Sequence, residues 1–279
     1  MGHAVSEYRF GDRMVNRFDL YEIAVQCPPI EAAFLDAVHG GRPRVLGEDF
    51  AGPAGVSRAW LAMGDDRRAI ATDLDDQPLR HAVRRLVESL GEPGADRLTI
   101  RERDALEVGD RADVIAALNF ACCELRERER LVTYLRNCLF RLEAGGVLVC
   151  DLYGGVDAML PGASEQVIDT DGGELVYTWE QLEADATTSR VRNAIHFELP
   201  DGTGIRNAFE YDWRFWSPAE LRDAMREAGF RTTEIYPHYG EAIDEDGGLL
   251  VEPISTDADP DGAAPDLDDQ WVLYIVGRV

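Results

Sequence analysis

Between residues 42 and 152 short apolar runs alternate with segments of helical periodicity. The runs are Arg44–Leu46, Arg68–Thr72, Leu98–Ile100, Ala112–Leu118 and Val147–Leu152. Val56–Met63, Asp76–Leu90 and Glu124–Leu142 carry the 3.6-residue period between them. Pro78 sits in the first turn of the second of these helices, where a missing N–H does no harm. Val114–Leu118 and Val147–Cys150 are apolar without alternation, which suits strands covered on both faces. This order predicts an α/β unit with a mostly parallel sheet. Each of the first four strands runs into polar groups: Glu48-Asp49, Asp73, Asp104 and Asn119. In open α/β sheets ligands bind outside the carboxyl ends of the strands.

The flanking segments read differently. Residues 7–40 predict two helices, Arg13–Gln26 and Ile30–Val38, separated by Cys27-Pro28-Pro29. From 153 to 216 the helical period disappears. Glu174–Leu182, Val191–Leu199 and Gly204–Phe215 alternate at period two, with a Pro200-Asp201-Gly202 turn. An antiparallel set of about three strands is expected there. Its alternation puts Phe209, Tyr211, Trp213 and Phe215 on one face, and His196 on the face opposite Ile195 and Phe197. Ser217-Pro218-Ala219-Glu220 opens a helix that ends at Gly229. Arg231–His238 and Trp271–Val276 read as the last two strands. Residues 241–269, rich in Asp, Gly and Pro, read as a flexible loop. The expected divisions are a helical cap at 1–41, a ligand-binding core at 42–152, an antiparallel insertion at 153–216, and the rest of the core at 217–279.

The stretch around which this organisation turns is Glu48-Asp49-Phe50-Ala51-Gly52-Pro53-Ala54-Gly55. Small residues between a strand and a helix let backbone N–H groups approach a ligand. The loop is not G-x-G-x-x-G, which removes the main argument for a nicotinamide-dependent dehydrogenase. Asp73, about 20 residues on, stands where a ribose diol would be held. Taken singly, each acid could equally close a turn, and Asp75 and Asp76 read as caps of the following helix.

Composition narrows the choice. The net charge is −25, and all 28 basic residues are Arg. No basic footprint for a nucleic acid is visible; Arg126–Arg130 alternates with Glu as on a solvated helix face. The five cysteines show no C-x-x-C and no His at ligand spacing, so no metal site is expected. Cys122 and Cys123 follow Asn119, but read best as small buried residues. No apolar run reaches membrane-spanning length, and the odd cysteine count without a secretion signal leads to an expected cytoplasmic location. Met1–Ser6 fits the loose myristoylation pattern, a match expected by chance.

The ordered motifs resemble the class I S-adenosylmethionine (SAM)-dependent methyltransferases. They resemble in particular a bacterial branch whose first motif reads E-D-F-x-G-x-A. The matching residues are Glu48-Asp49-Phe50, Asp73-Leu74-Asp75, Asn119-Phe120, Asp151-Leu152-Tyr153-Gly154-Gly155, Ile195-His196-Phe197-Glu198 and Tyr211-Asp212-Trp213-Arg214. Ala51 and Pro53 stand where glycines are usual. The resemblance implies a Rossmann-like, doubly wound, mostly parallel seven-stranded sheet, with the antiparallel insertion after the fifth strand serving as a lid and the front helices covering the cofactor. It implies SAM held by Asp49, Ala51, Gly52 and Gly55 around the methionine part. Asp73 and Leu74 would lie at the ribose, Asp104 and Ala105 at the adenine, and Asn119 and Phe120 at the transfer point. Tyr21 matches a recurring Y-x-x-x-V-Q and is a further candidate, with Gln26 beside it; a place in a helix core fits Tyr21 equally.

For chemistry on the acceptor the candidates are Tyr153, His196 and Tyr211, with His238 as a further base; a strand histidine is more often a hydrogen-bonded structural residue. The aromatic and acidic groups of the insertion favour a small-molecule acceptor such as an amine. An RNA or protein methyltransferase, and a SAM-binding module without catalysis, are the competing readings.

Overall fold

The computed structural model describes residues 5–238, 242–243, 249–257, 267 and 269–279. In chain order the elements are β1 (Glu7–Phe10), β2 (Arg13–Asn16), α1 (Arg17–Val25), α2 (Pro28–His39), β3 (Val45–Asp49), α3 (Gly55–Ala62), β4 (Arg68–Asp73), α4 (Asp76–Ala95), β5 (Leu98–Glu102) and β6 (Ala112–Ala117). There follow α5 (Arg128–Arg141), β7 (Leu142–Gly155), β8 (Gly162–Thr170), β9 (Gly173–Asp185), β10 (Arg190–Glu198), β11 (Gly204–Arg214), α6 (Pro218–Ala228), β12 (Thr232–Pro237), β13 (Ala242–Ile243), β14 (Leu249–Leu250), β15 (Ser255–Thr256) and β16 (Gln270–Arg278). They group into two compact units. One comprises residues 1–27 with 157–215, the other 28–156 with 216–279.

The larger unit is an eight-stranded sheet in the order β15-β12-β16-β7-β6-β3-β4-β5. β7, β6, β3, β4 and β5 are mutually parallel, while β16, β12 and β15 add antiparallel at one edge. From β3 the chain moves outward through β4 to β5, then returns to place β6 on the other side of β3. The carboxyl ends of β3 and β6 therefore flank a topological switch point. Apolar side chains of the central strands, such as Leu46, Val114, Ala116, Val149 and Val276, pack with Phe34, Leu35 and Trp60 of the helices. Phe34 of α2 stacks on Tyr274 of β16 with ring centroids 4.2 Å apart. A side chain at Gly154 would overlap the Trp271 indole, so the Asp-Leu-Tyr-Gly-Gly run lets β16 lie close against β7.

The smaller unit is a four-stranded antiparallel sheet, β11-β10-β9-β8, together with the β1–β2 hairpin and α1. Phe10, Val15 and Leu20 from the front of the chain share one apolar cluster with Leu175, Ile195, Phe197 and Ile205. The Arg17 guanidinium donates to the Ala208 carbonyl at 3.2 Å and lies 5.2 Å from the Phe209 ring centre.

Several expectations need correction. Arg13–Asn16 is a strand, and helix α1 starts at Arg17, because Asn16 and Asp19 form a reciprocal capping box. Residues 1–27 belong with the antiparallel sheet rather than forming a purely helical cap. That sheet has a fourth strand, β8, whose side chains are mostly exposed and so show no alternation. The central sheet has eight strands rather than seven, the addition being the two-residue β15. Gly145-Gly146 lies inside β7. Of the stretch 241–269, the described part is anchored: Asp257 accepts from Arg222, Arg226 and the Thr233 amide, and sits well below the ordinary carboxylate range through those bonds despite partial burial. The flexibility expected for the rest falls on residues outside those described, as does most of the myristoylation pattern at Met1–Ser6.

Candidate functional site

At the tip of β3 two adjacent carboxylates point to opposite sides of the sheet. The Asp49 side chain is fully buried and receives Arg141 of α5 through two bonds, 2.7 Å to Oδ2 and 3.1 Å to Oδ1. The Tyr134 hydroxyl donates a third at 3.0 Å. Burial works against the arginine's charge, yet Asp49 keeps its pKa above the ordinary value. Both Asp49 oxygens, expected beside a cofactor, serve a strand-to-helix tie. Glu48 faces the other way and accepts the Ser57 amide at 2.7 Å. Helix α3 begins after Ala54, a residue without a capping side chain, so Glu48 caps it from the strand. Burial pushes the Glu48 carboxyl up to about 7, against the pull of that hydrogen bond.

The loop after β3 is pinned to β4. The Ala51 amide donates to the Thr72 carbonyl at 2.8 Å, and the Gly52 amide to Asp73 Oδ2 at 2.7 Å. Asp73 Oδ1 accepts the Asp75 amide at 2.9 Å. Desolvation raises the Asp73 pKa against these bonds. Gly52 has φ +51, and nothing lies within 4 Å of where its side chain would be. The backbone there faces open space that any other residue would fill. Gly55 opens α3, and Leu74 is 70% exposed.

On the other side of the switch point Asp151 holds the loop after β6. It accepts the Asn119 amide at 2.9 Å and the Phe120 amide at 2.7 Å. Its carboxyl is pushed up to about 7 by burial, opposed by those two bonds. Phe50, Ala54, Asn119 and Phe120 all have φ between 51° and 62°. Such conformations are strained for residues with side chains and concentrate at functional sites. The Phe120 and Tyr153 rings pack at 4.8 Å. Asp104 and Ala105 open a short turn after β5: Asp104 Oδ1 accepts the Leu106 amide at 2.9 Å, and Oδ2 pairs with Arg130 at 3.2 Å. Cys122 and Cys123 are buried in the turn after Phe120, and burial raises the Cys123 thiol.

The remaining candidates lie in the antiparallel unit. Tyr21 packs on Phe209 with centroids 4.9 Å apart. His196 is buried between two partners: the Asn207 amide donates to Nδ1 at 2.9 Å, and Nε2 lies 2.8 Å from Glu180 Oε2. Since a backbone amide only donates, Nδ1 carries no proton and Nε2–H donates to Glu180. Both ring nitrogens are committed to these hydrogen bonds, the arrangement of a structural strand histidine. His196 pairs across the sheet with Thr178, whereas Tyr211 pairs with Asn193, and these residues face opposite sides. His196 and Tyr211 thus share no face. His238, in the larger unit, is pushed down to about 4 by burial and is neutral at pH 7.

No family model and no curated protein sequence matches the chain. Solved structures do. The chain is similar to a SAM-dependent methyltransferase from Clostridium acetobutylicum, at TM-score 0.67 and 14% identity over 93% of this chain and 96% of that one. It is similar to a sugar N-methyltransferase from a Streptoalloteichus species, at TM-score 0.62 and 18% identity over 99% of each. An amino pentose methyltransferase from Micromonospora echinaspora matches at TM-score 0.62 and 14% identity, over 94% and 96%. The fold is that of the SAM-dependent methyltransferases.

Within this methyltransferase fold, sequence reasoning placed the loops but missed their ties: Glu48 to α3, Arg141 to Asp49, and Asp151 to Asn119 and Phe120. A signal existed for Arg141. It follows Tyr134 by seven positions and Cys138 by three, placing it on the buried stripe of α5. Among the described residues no group of three or more His, Cys, Asp or Glu could hold a metal, and no helix is long and apolar enough to cross a membrane.

Two outcomes are expected. Arg141→Met leaves Asp49 buried without its cation and should lower the unfolding free energy by about 3–5 kcal/mol in urea titrations. The double variant Asp49→Leu with Arg141→Met should recover most of that loss. Glu48 and Asp151 also make stability depend on pH. Their folded pKa values are raised, so their contribution is complete below the unfolded carboxylate range, 4.5 and 3.8, and is lost as pH rises toward about 7. Glu48→Gln should show a smaller loss of unfolding free energy between about pH 5 and pH 8 than the unmodified protein; an unchanged slope would contradict the assignment.

Proposed function

We propose that the chain is a SAM-dependent methyltransferase acting on a small-molecule amine. The observation that carries this is Asp73 at the carboxyl end of β4, beside the switch-point strand β3, with one oxygen on the Gly52 amide of a loop that faces open space. Each carboxylate oxygen accepts more than one hydrogen bond, so Asp73 keeps acceptor directions for a ribose diol while holding the loop. Ala51, Gly52 and Gly55 offer the close backbone approach that the methionine part of SAM needs. Leu74 adds an exposed apolar side chain beside Asp73. Asp104 keeps acceptor capacity for an exocyclic amine, with Ala105 next to it. Asn119 and Phe120, fixed by Asp151, line the other wall, with Tyr153 against Phe120.

When bound, SAM supplies a methyl group on a positively charged sulfur. The work left to the protein is alignment, because in-line displacement gains most from positioned reactants. The strained, doubly hydrogen-bonded loops suit that work, since they fix backbone atoms at both walls. An amine attacks with its own lone pair once it has lost its proton, so no protein nucleophile is required. The sugar N-methyltransferase and amino pentose methyltransferase among the similar structures support an amine acceptor. The charge of −25 disfavours polyanionic substrates.

Calorimetry should show one site for SAM or its demethylated product and none for NAD. Asp73→Ala should weaken that binding by about 1–3 kcal/mol, as expected for lost charge-assisted hydrogen bonds. Binding of NAD without SAM would overturn the reading. Turnover on a panel of small amines, followed by mass spectrometry, should give singly or multiply methylated products.

A further inference from the structure

Asp151, at the end of β7, meets the turn after β6 with both carboxylate oxygens. Oδ2 accepts the Asn119 amide at 2.9 Å and Oδ1 the Phe120 amide at 2.7 Å. The two donors are consecutive, and their residues have φ of 58° and 62°. Neither is glycine, so the turn carries backbone strain that its surroundings must offset. The Phe120 ring packs on Tyr153, two positions after Asp151 on the same strand. Clasp and ring contact therefore both come from the end of β7, and both act inside the larger unit.

The charge on this clasp stands in apolar and acidic surroundings. Asp151 is 4% exposed. Cys123 in the turn is a thiol raised by burial, and Cys150 beside Asp151 is raised by the Cys122 thiol and by burial. Tyr274 stands opposite Asp151 on β16, with the His238 ring 5.0 Å from its own. His238 is neutral at pH 7, since burial pushes it down to about 4. Helix α2 covers this side through the stack of Phe34 on Tyr274, and its acid there is Glu31, one turn before Phe34. None of these groups supplies a positive charge. Burial raises the Asp151 carboxyl to about 7 against its two hydrogen bonds. Protonation turns one of its oxygens into a donor and leaves the other to serve two amides. The strained turn then loses one of its two bonds to β7.

We propose that Asp151 is a positioning residue: its ionised carboxylate closes the Asn119–Phe120 turn into the form that receives the cofactor, so cofactor binding drives a proton from Asp151 to solvent. This rests on reading the chain as a SAM-dependent methyltransferase. It also separates two effects of one ionisation. Charging a buried carboxyl lowers stability as pH rises, whereas closing the turn raises cofactor affinity over the same range. A merely structural acid produces the first effect without the second.

The test uses the full chain and S-adenosylhomocysteine, titrated by calorimetry between about pH 6 and about pH 8. Affinity should rise about tenfold across that range, the equivalent of one pKa unit, while the melting temperature falls. Asp151→Asn keeps the shape of the side chain without its charge. It should bind about tenfold more weakly than the unmodified protein at the upper pH and show a flatter profile. Glu48→Gln removes a buried acid that caps α3, away from the turn, and should keep the slope. Hydrogen exchange without cofactor should be faster at Asn119 and Phe120 in Asp151→Asn, and unchanged along β3 and β4. Affinity that stays level or falls with pH in the unmodified protein overturns the proposal. So does an Asp151→Asn profile parallel to the unmodified one, unchanged exchange at the turn, or loss of the slope in Glu48→Gln. If Asp151→Asn does not fold, the unmodified and Glu48→Gln profiles decide. Absence of S-adenosylhomocysteine binding overturns the cofactor reading instead, and the exchange comparison still decides whether Asp151 holds the turn.

Discussion

The tie between Asp49 and Arg141 fixes the position of β3, the strand on which the rest of the site depends. β3 lies at the switch point, with β4 and β6 as its neighbours. Removing two charges from water is expensive, and a buried pair on its own is weak evidence for stability. Here the geometry is complete: two bonds from the guanidinium and a third from Tyr134 leave the carboxylate no need of water. The effect is specificity of position. The end of β3 cannot slide against α5 without separating charges in an apolar surrounding, so the loop from Phe50 to Gly55 always leaves the sheet at the same point.

The same economy recurs around the crevice. Acidic side chains, abundant in this chain, act on backbone amides rather than on cations: Glu48 on Ser57, Asp73 on Gly52, Asp151 on Asn119 and Phe120. Residues with side chains in left-handed conformations cost of order 1–3 kcal/mol each. Hydrogen bonds to charged groups return about 1.5–3 kcal/mol each, enough to hold such turns closed. Burial pushes the Glu48 and Asp151 carboxyls up to about 7, so these bonds strengthen as pH rises while the cost of keeping the charges out of water grows.

Much of the fold was legible because apolar strands covered on both faces leave an unmistakable pattern. Val147–Cys150 and Val114–Leu118 stood out, and their polar termini marked the crevice. The loops were legible for the same reason, since small residues at strand ends have few other uses. What sequence could not give was direction. Asp49 and Glu48 are adjacent acids, and only the packing of α5 shows which one meets Arg141. His196 was drawn toward chemistry by its neighbours in the motif, but the bulge that brings the Asn207 amide onto its ring is invisible in the alternation. β8 escaped because an edge strand exposed on most positions has no burial period to read.

The antiparallel unit is assembled from the first 27 residues and a segment that begins at 157. Arg17 bonds Ala208, 191 positions away. During synthesis the hairpin and first helix therefore emerge with their apolar side chains, Phe10, Val15 and Leu20, long before the strands that bury them. Loop closure over such a span is slow, and intermediates with exposed apolar surface are prone to aggregate. The hairpin and first helix can be buried only once the strands through β11 have been made.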